Sequence, residues 1–208
     1  PRPPNSQKNT LSRWFCFAAT LNLFNFVQNL KRMIATLPEV SERLFTVQEW
    51  LNFEKTAEQR HEFYFGKLIP IAGEAKRANI IAGNIKKAID DPLYAKGFQI
   101  FDHDVKAEVL PDGIYRYPDL VAAPVVDDED DYIVKHPVFM AEVASEGSGH
   151  RDRVRKRKEY LRIESLWYYL IADQDEILLE LHVRGEDGRW EPPQYFTEPE
   201  DLVSLPRF

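Results

Sequence analysis

The sequence predicts an α+β fold: a mixed central β-sheet flanked by helices. Three observations predict it. A capped amphipathic helix opens near residue 47, a second helical periodicity follows after residue 77, and short apolar runs bounded by turn residues lie between and beyond them. With 208 residues, 44% of them hydrophobic and 29% charged, the chain can build one sizeable core.

Thr46-Val47-Gln48-Glu49 matches a capping box, in which the threonine hydroxyl and the glutamate carboxylate each satisfy a free amide at a helix start. The helix is expected over 47–57, burying Trp50, Leu51 and Phe53. Phe63-Tyr64-Phe65 and Leu68-Ile69-Pro70-Ile71 flank Gly66-Lys67, which reads as a hairpin with a tight turn. Ile81, Ile85 and Ala88 recur at helical spacing, so 77–90 should form an amphipathic helix over that sheet. After Pro92 and Gly97 the pattern turns to strands over 99–110, 119–126 and 138–144. The acidic run Asp127, Asp128, Glu129, Asp130 and Asp131 reads as a solvated loop, because like charges repel and stay exposed. A basic helix over 151–158 follows, then a strongly aromatic strand over 166–172 and its hairpin partner over 177–183. Gly185 and Gly188 mark a turn, and the tail carries Pro192, Pro193 and Pro199.

The formal net charge of −7 argues against general nucleic-acid coating, which depends on positive charge neutralising phosphates. The average hides an asymmetry. Residues 150–162 hold seven Lys or Arg against two acids, a local balance of +5 that leaves −12 for the rest. The single cysteine, Cys16, excludes an internal disulfide and a Cys-based zinc site, and fits a reducing, cytoplasmic setting. The apolar stretch 14–27 is interrupted by Asn22 and Asn25 and is shorter than the roughly 20 apolar residues that a membrane-spanning helix needs. With the first methionine at Met33, residues 1–32 are expected to be an N-terminal extension outside the fold, and 33–208 its single domain.

The chemistry concentrates on two acids. Glu142 sits inside the apolar run Val138-Phe139-Met140-Ala141-Glu142-Val143-Ala144, and Asp119 follows Pro118 at the head of another. Alternation puts Val138, Met140, Glu142 and Ala144 on one face. Two carboxylates on buried strands are costly unless something positive meets them. If the strands are neighbours, the acids converge on one Mg²⁺ or Mn²⁺, hard cations that take oxygen ligands. An arginine partner for Glu142 is the simpler alternative. Ser145-Glu146-Gly147-Ser148-Gly149 can hold a phosphate at the start of the basic helix, or serve only as a connector. Arg151, Arg153, Arg155 and Lys158 are the candidate nucleic-acid contacts, although alternate arginines cannot all share one helix face. Trp167-Tyr168-Tyr169 offers either a base-stacking platform or core packing, with packing favoured in a strand. The histidines, singly placed, show no zinc-cage spacing and read as satisfied or exposed; only His61, beside Glu62, is positioned to help the site.

The ordered set resembles the PD-(D/E)XK restriction-endonuclease-like nuclease superfamily, and more closely its Uma-two family. Its anchors are His61-Glu62-Phe63-Tyr64-Phe65-Gly66-Lys67-Leu68, Ile81-Ala82-Gly83-Asn84-Ile85, Tyr117-Pro118-Asp119-Leu120-Val121, Glu142-Val143-Ala144-Ser145, and Asp152-Arg153 with Lys156 and Tyr160. The resemblance implies a restriction-endonuclease-like core, metal ligation by Asp119 and Glu142, and an upstream glutamate at Glu62. The superfamily lysine usually lies two residues after the strand glutamate, where this chain has Ala144; the resemblance gives its role to Lys156 on the next helix, with Lys158 competing. Many relatives carry a histidine just before the amphipathic helix, where this chain has Ala78 beside Asn79. The implied activity is metal-dependent endonucleolytic cleavage of DNA, with a homodimer expected because cutting both strands needs two sites, and with no membrane partner. An inactive nuclease-fold module that binds nucleic acid or a protein is the alternative. An acid/base pair for glycoside hydrolysis is a third reading, which needs no metal.

Overall fold

Capping and turn chemistry shape the first part of the fold. The structure, a computed structural model, describes residues 43–125, 130–144 and 150–208, the stretch 150–153 by its backbone alone. The expected extension over 1–32, the end of the acid-flanked strand at Val126, most of the acidic run, the connector 145–149 and the side chains of Arg151 and Arg153 lie outside the described residues.

Helix α1 (Val47–Glu54) carries the expected capping box: Thr46 Oγ1 accepts from the Glu49 amide at 3.2 Å, and the Glu49 carboxylate accepts from the Thr46 amide at 2.9 Å. It ends three residues earlier than expected. Trp50 is fully buried, its ring 5.4 Å from Phe63 and 5.2 Å from Tyr115, and its Nε1 donates to the His61 carbonyl at 2.8 Å. Phe53 stays 40% exposed at the rim, touching Phe45 and His61, because the short helix ends before that turn is covered.

Strands β1 (His61–Tyr64) and β2 (Lys67–Pro70) form the hairpin, with Tyr64 opposite Lys67. Its turn residues are Phe65 and Gly66, one position earlier than expected. Both have positive φ, 44° and 84°, as a two-residue turn that follows the strand twist requires. A side chain at Gly66 would also crowd Leu44 and the Phe45 carbonyl at 3.0–3.1 Å. Helix α2 (Lys76–Ala95) runs five residues past the expected end, through Pro92. Proline there removes the hydrogen bond to the Ala88 carbonyl, and Ala88 is exposed, so water can take that place. The inward stripe is Ala78, Ala82, Ile85, Ile89 and Leu93, shifted from the expected Ile81 and Ala88.

The strands assort into two mixed sheets where one was expected. After α2 come β3 (Phe98–Asp102), β4 (Lys106–Leu110), β5 (Ile114–Arg116), β6 (Leu120–Pro124), β7 (Ile133–Val134) and β8 (Phe139–Ala144). Helix α3 (His150–Tyr160), β9 (Tyr168–Asp173), β10 (Leu179–Val183) and β11 (Gln194–Phe196) complete the chain. One sheet has the order β2-β1-β5-β4-β7 and the other β11-β10-β9-β8-β6-β3. The expected single strand over 99–110 breaks at His103–Asp104, where His103 takes φ 45°, and its halves join different sheets. The six-stranded sheet positions the acids. Its one parallel pair, β8–β9, is joined by the crossover that contains α3, as parallel neighbours require. On one face Ala82 and Leu93 of α2 pack over Ile100, Leu120, Phe139 and Ala141. On the other, Val121, Met140, Ala144, Tyr169 and Ile171 meet Tyr160 of α3 and Ala107 and Ile114 of the smaller sheet. Val138, expected on the Met140 face, packs with the α2 side, because the strand begins only at Phe139.

Candidate active site

Strands β6 and β8 run antiparallel, with Leu120 opposite Ala141 and Val121 opposite Met140. Asp119 stands just ahead of β6, beside the continuation of β8 through Glu142 and Val143. A hydrogen bond fastens the junction: the Val143 amide donates to Asp119 Oδ2 at 2.6 Å. That bond brings Asp119 to the residue next to Glu142, 23 positions away in sequence from Asp119.

Helix α3 closes over Glu142. Lys156 and Tyr160 are four residues apart, one turn, and so reach the same spot. The Tyr160 hydroxyl donates to Glu142 Oε1 at 2.7 Å, and Lys156 Nζ lies 3.2 and 3.4 Å from the two Glu142 oxygens. The same ammonium is 3.3 Å from Glu62 Oε1 on β1. Of the two competing lysines, Lys156 is the one brought to the acids; Lys158 is exposed on another side of the helix.

The other oxygen of Glu62 accepts from Arg116 Nη1, and Arg116, fully buried, forks onto Glu159 at 2.8–3.0 Å. Both Glu62 oxygens are therefore engaged by cationic side chains. Expected among the metal ligands, Glu62 instead meets Glu142 across Lys156. Among the described residues, one group of His, Cys, Asp or Glu places at least three ligand atoms within 4.8 Å of one another: Glu74, His103 and Asp119. Glu62 is not in it.

Burial pushes the Glu142 carboxyl up to about 7; Lys156 pulls against that and Asp119 adds to it. Burial likewise raises Asp119, against the pull of the Val143 amide. Two desolvated carboxyls side by side, each biased towards holding a proton, are the donor set that a divalent cation relieves. Among the described residues Glu142 Oε2 meets only the longer Lys156 contact, and the Val143 amide engages only Oδ2 of Asp119, so both acids keep hard oxygen lone pairs. The residues fit such an ion.

Beside Asp119 a cavity of about 680 Å³ is lined by Gly73, Glu74, Ala78, His103, Asp119 and Val143. His103 Nδ1 lies 3.2 Å from Glu74 Oε2, and its Nε2 lies 3.1 Å from Asn79 Nδ2. His103 thus reaches the cavity from the β3–β4 turn with both ring nitrogens partnered, the satisfied histidine expected from its single placement. Among the described side chains, the other histidines stay out of the site. His61 pairs with Glu54, His182 stacks on Tyr169 and bonds to Glu180, and His136 is exposed. Tyr168 and Tyr169 are core residues, 1% exposed, rather than a stacking platform. Arg155 lies over the Tyr64 ring and 3.8 Å from Glu159, and Arg157 pairs with Glu180 at 3.2 Å. Glu74, His103 and Arg116 escaped sequence reasoning, since Glu74 and His103 lie in turns without periodicity and Arg116 lies in a three-residue strand. Tyr160 carried a usable signal, its spacing of four from Lys156.

The sequence profile of the Uma2 family, described as "Putative restriction endonuclease", matches residues 47–208. Two relatives come from Synechocystis sp. (strain ATCC 27184 / PCC 6803 / Kazusa). Uncharacterized protein sll1609 is 28% identical over 151 residues, covering 71% of this chain and 85% of the relative. Uncharacterized protein slr1290 is 23% identical over 159 residues, covering 76% and 84%. A solved structure described as a putative nuclease belonging to DUF820, from Anabaena variabilis ATCC 29413, superposes with a TM-score of 0.62 at 16% identity, over 78% of this chain and 89% of that one. That likeness shows the restriction-endonuclease-like fold. Among the described residues no helix is long and apolar enough to cross a membrane. With its fold and 162 matched positions in agreement, the chain belongs to the Uma2 family of restriction-endonuclease-like proteins.

Proposed function

We propose that this protein is a divalent-metal-dependent endodeoxyribonuclease, with Mg²⁺ or Mn²⁺ as the ion and DNA as the substrate. One observation carries the reading: the Lys156 ammonium stands within 3.4 Å of Glu142, and the amide of the adjoining Val143 donates to Asp119. An acid pair with an adjoining ammonium suits hydrolysis of a phosphodiester, where negative charge builds on the phosphate in the transition state. In this reading Asp119 and Glu142 hold the cation, which when bound makes water more acidic and offsets phosphate charge. Lys156 donates to the oxygen that gains charge, or holds the attacking water by one of its three N–H groups. Tyr160 fixes the Glu142 carboxylate by donating to Oε1, leaving Oε2 for the cation.

Glu62 positions rather than ligates: shared with Arg116, it anchors the Lys156 side chain from the far side. The cost of burying Arg116, Glu62 and Glu159 is met by paired, forked hydrogen bonds. Arg151, Arg153, Arg155 and Lys158 are the candidate phosphate contacts for DNA, and two copies are needed to cut both strands. The core for this function is the domain over 33–208.

Supercoiled plasmid incubated with purified protein tests the reading. Wild type nicks or linearises it with Mg²⁺ or Mn²⁺ and not with EDTA, while Glu142→Gln and Lys156→Met, both folded by circular dichroism, lose at least about a hundredfold in rate. Parental cleavage by a folded Glu142→Gln protein, or cleavage undiminished by EDTA, sinks it.

A further inference from the structure

Glu74, His103 and Asp119 come from three separate elements: the loop ahead of α2, the β3–β4 turn and the head of β6. Their ligand atoms lie within 4.8 Å of one another and open on the 680 Å³ cavity, away from the Lys156 side of Glu142. We propose that these three side chains form a second cation seat, on the cavity side of Asp119, for a first-row transition ion such as Mn²⁺. It rests on the nuclease reading only in sharing Asp119.

Four features favour a metal over a simple ion pair. The set joins one imidazole to two carboxylates, a mixture that suits Mn²⁺, Fe²⁺, Co²⁺ or Zn²⁺ better than Mg²⁺, which takes oxygen ligands in strict octahedral geometry. His103 has an outer partner: the Asn79 side-chain amide lies 3.1 Å from Nε2. Ligating histidines characteristically have their second ring nitrogen held in this way. Third, Glu74 and Asp119 repel each other across the seat, and the imidazole between them offsets both. Finally, the His103 backbone adopts φ 45°, a conformation that a bulky residue takes at some cost, and its amide donates to the Asp119 carbonyl at 3.2 Å. The turn thereby fastens the imidazole to the residue with which it would share the ion.

On binding, the ion occupies the space between Nδ1 and the two carboxylates. Ligation through Nδ1 puts the ring proton on Nε2, and the Asn79 amide then turns its oxygen to that proton as the acceptor. Asp119 contributes one oxygen here while its other oxygen keeps the Val143 amide.

The full chain is titrated with Mn²⁺, free ion being followed by its electron paramagnetic resonance, and pulsed measurements on the bound ion search for nitrogen coupling from a directly ligated imidazole. Wild type and Glu142→Gln show that coupling. His103→Ala abolishes it, and both His103→Ala and Glu74→Gln weaken this class of Mn²⁺ by about tenfold or more. Wild-type protein that binds Mn²⁺ without nitrogen coupling, or binds none, overturns the proposal. So does coupling that persists in His103→Ala. If either variant fails to fold, wild-type protein carrying ¹⁵N-histidine decides the matter, since its coupling must change isotope. A nitrogen signal in a protein that never cuts DNA leaves this seat standing and removes the nuclease reading; cleavage without the signal does the reverse.

Discussion

Replacing Glu142 by Gln in metal-free protein should change stability in a pH-dependent way. Glutamine keeps an acceptor for Tyr160 and Lys156 but cannot ionise. In the wild type, burial raises the carboxyl from 4.5 to about 7, so the folded chain holds that proton more tightly than the unfolded chain. The sign follows: the favourable contribution is complete below pH 4.5, is lost as pH rises from 4.5 to about 7, and is gone above that. At about 1.4 kcal/mol per unit of pKa, the loss amounts to roughly 3 kcal/mol. The side chain is only 15% exposed, so solvent screening removes little of it. Urea unfolding in EDTA, followed by tryptophan fluorescence at pH 5 and pH 8, should show Glu142→Gln gaining about 2–3 kcal/mol on wild type between those values. Mn²⁺ added at pH 8 should recover stability in wild type and less in the variant, because an ion that binds only the folded chain stabilises it. A wild-type-to-variant difference that stays flat from pH 5 to 8 would show that Glu142 is not a desolvated carboxyl.

Other outcomes follow from the same contacts. Arg116→Met leaves Glu62 and Glu159 buried with their principal cation gone, and should cost about 3–5 kcal/mol in chemical denaturation. Thr46→Ala removes one half of the capping box and should lower unfolding free energy by about 1 kcal/mol, with site chemistry unchanged. Deleting 1–32 should leave a single cooperative unfolding transition and undiminished metal-dependent cleavage; loss of either would make that segment part of the working domain.

Sequence reasoning succeeded where one residue type performs one local task. Thr46 and Glu49 announced a helix start, and both capping bonds formed. Asp119 and Glu142 stood out because ionisable residues are costly inside apolar runs, and in the fold the Val143 amide beside Glu142 donates to Asp119. Longer-range features were less legible. Alternation treated 99–110 as continuous, since nothing in Phe101-Asp102-His103-Asp104 advertises a left-handed turn at histidine; that hidden turn sent β4 to another sheet and His103 into the cavity. Strands of two or three residues such as β7 and β5 are too short to show a period. Glu62 looked like a ligand by its order in the chain, and only the packing of Arg116 shows where its oxygens point. Pro92 signalled a stop that burial of Leu93 in the last turn of α2 overrode.

Crystals soaked in Mn²⁺ and measured at the manganese absorption edge locate the ion without reference to turnover. Anomalous density within coordination reach of both Asp119 and Glu142, with Lys156 still alongside, is the expected result. Manganese bound elsewhere, or Asp119 and Glu142 oxygens left without it while Lys156 and Tyr160 keep Glu142 to themselves, would contradict a metal-assembled nuclease centre.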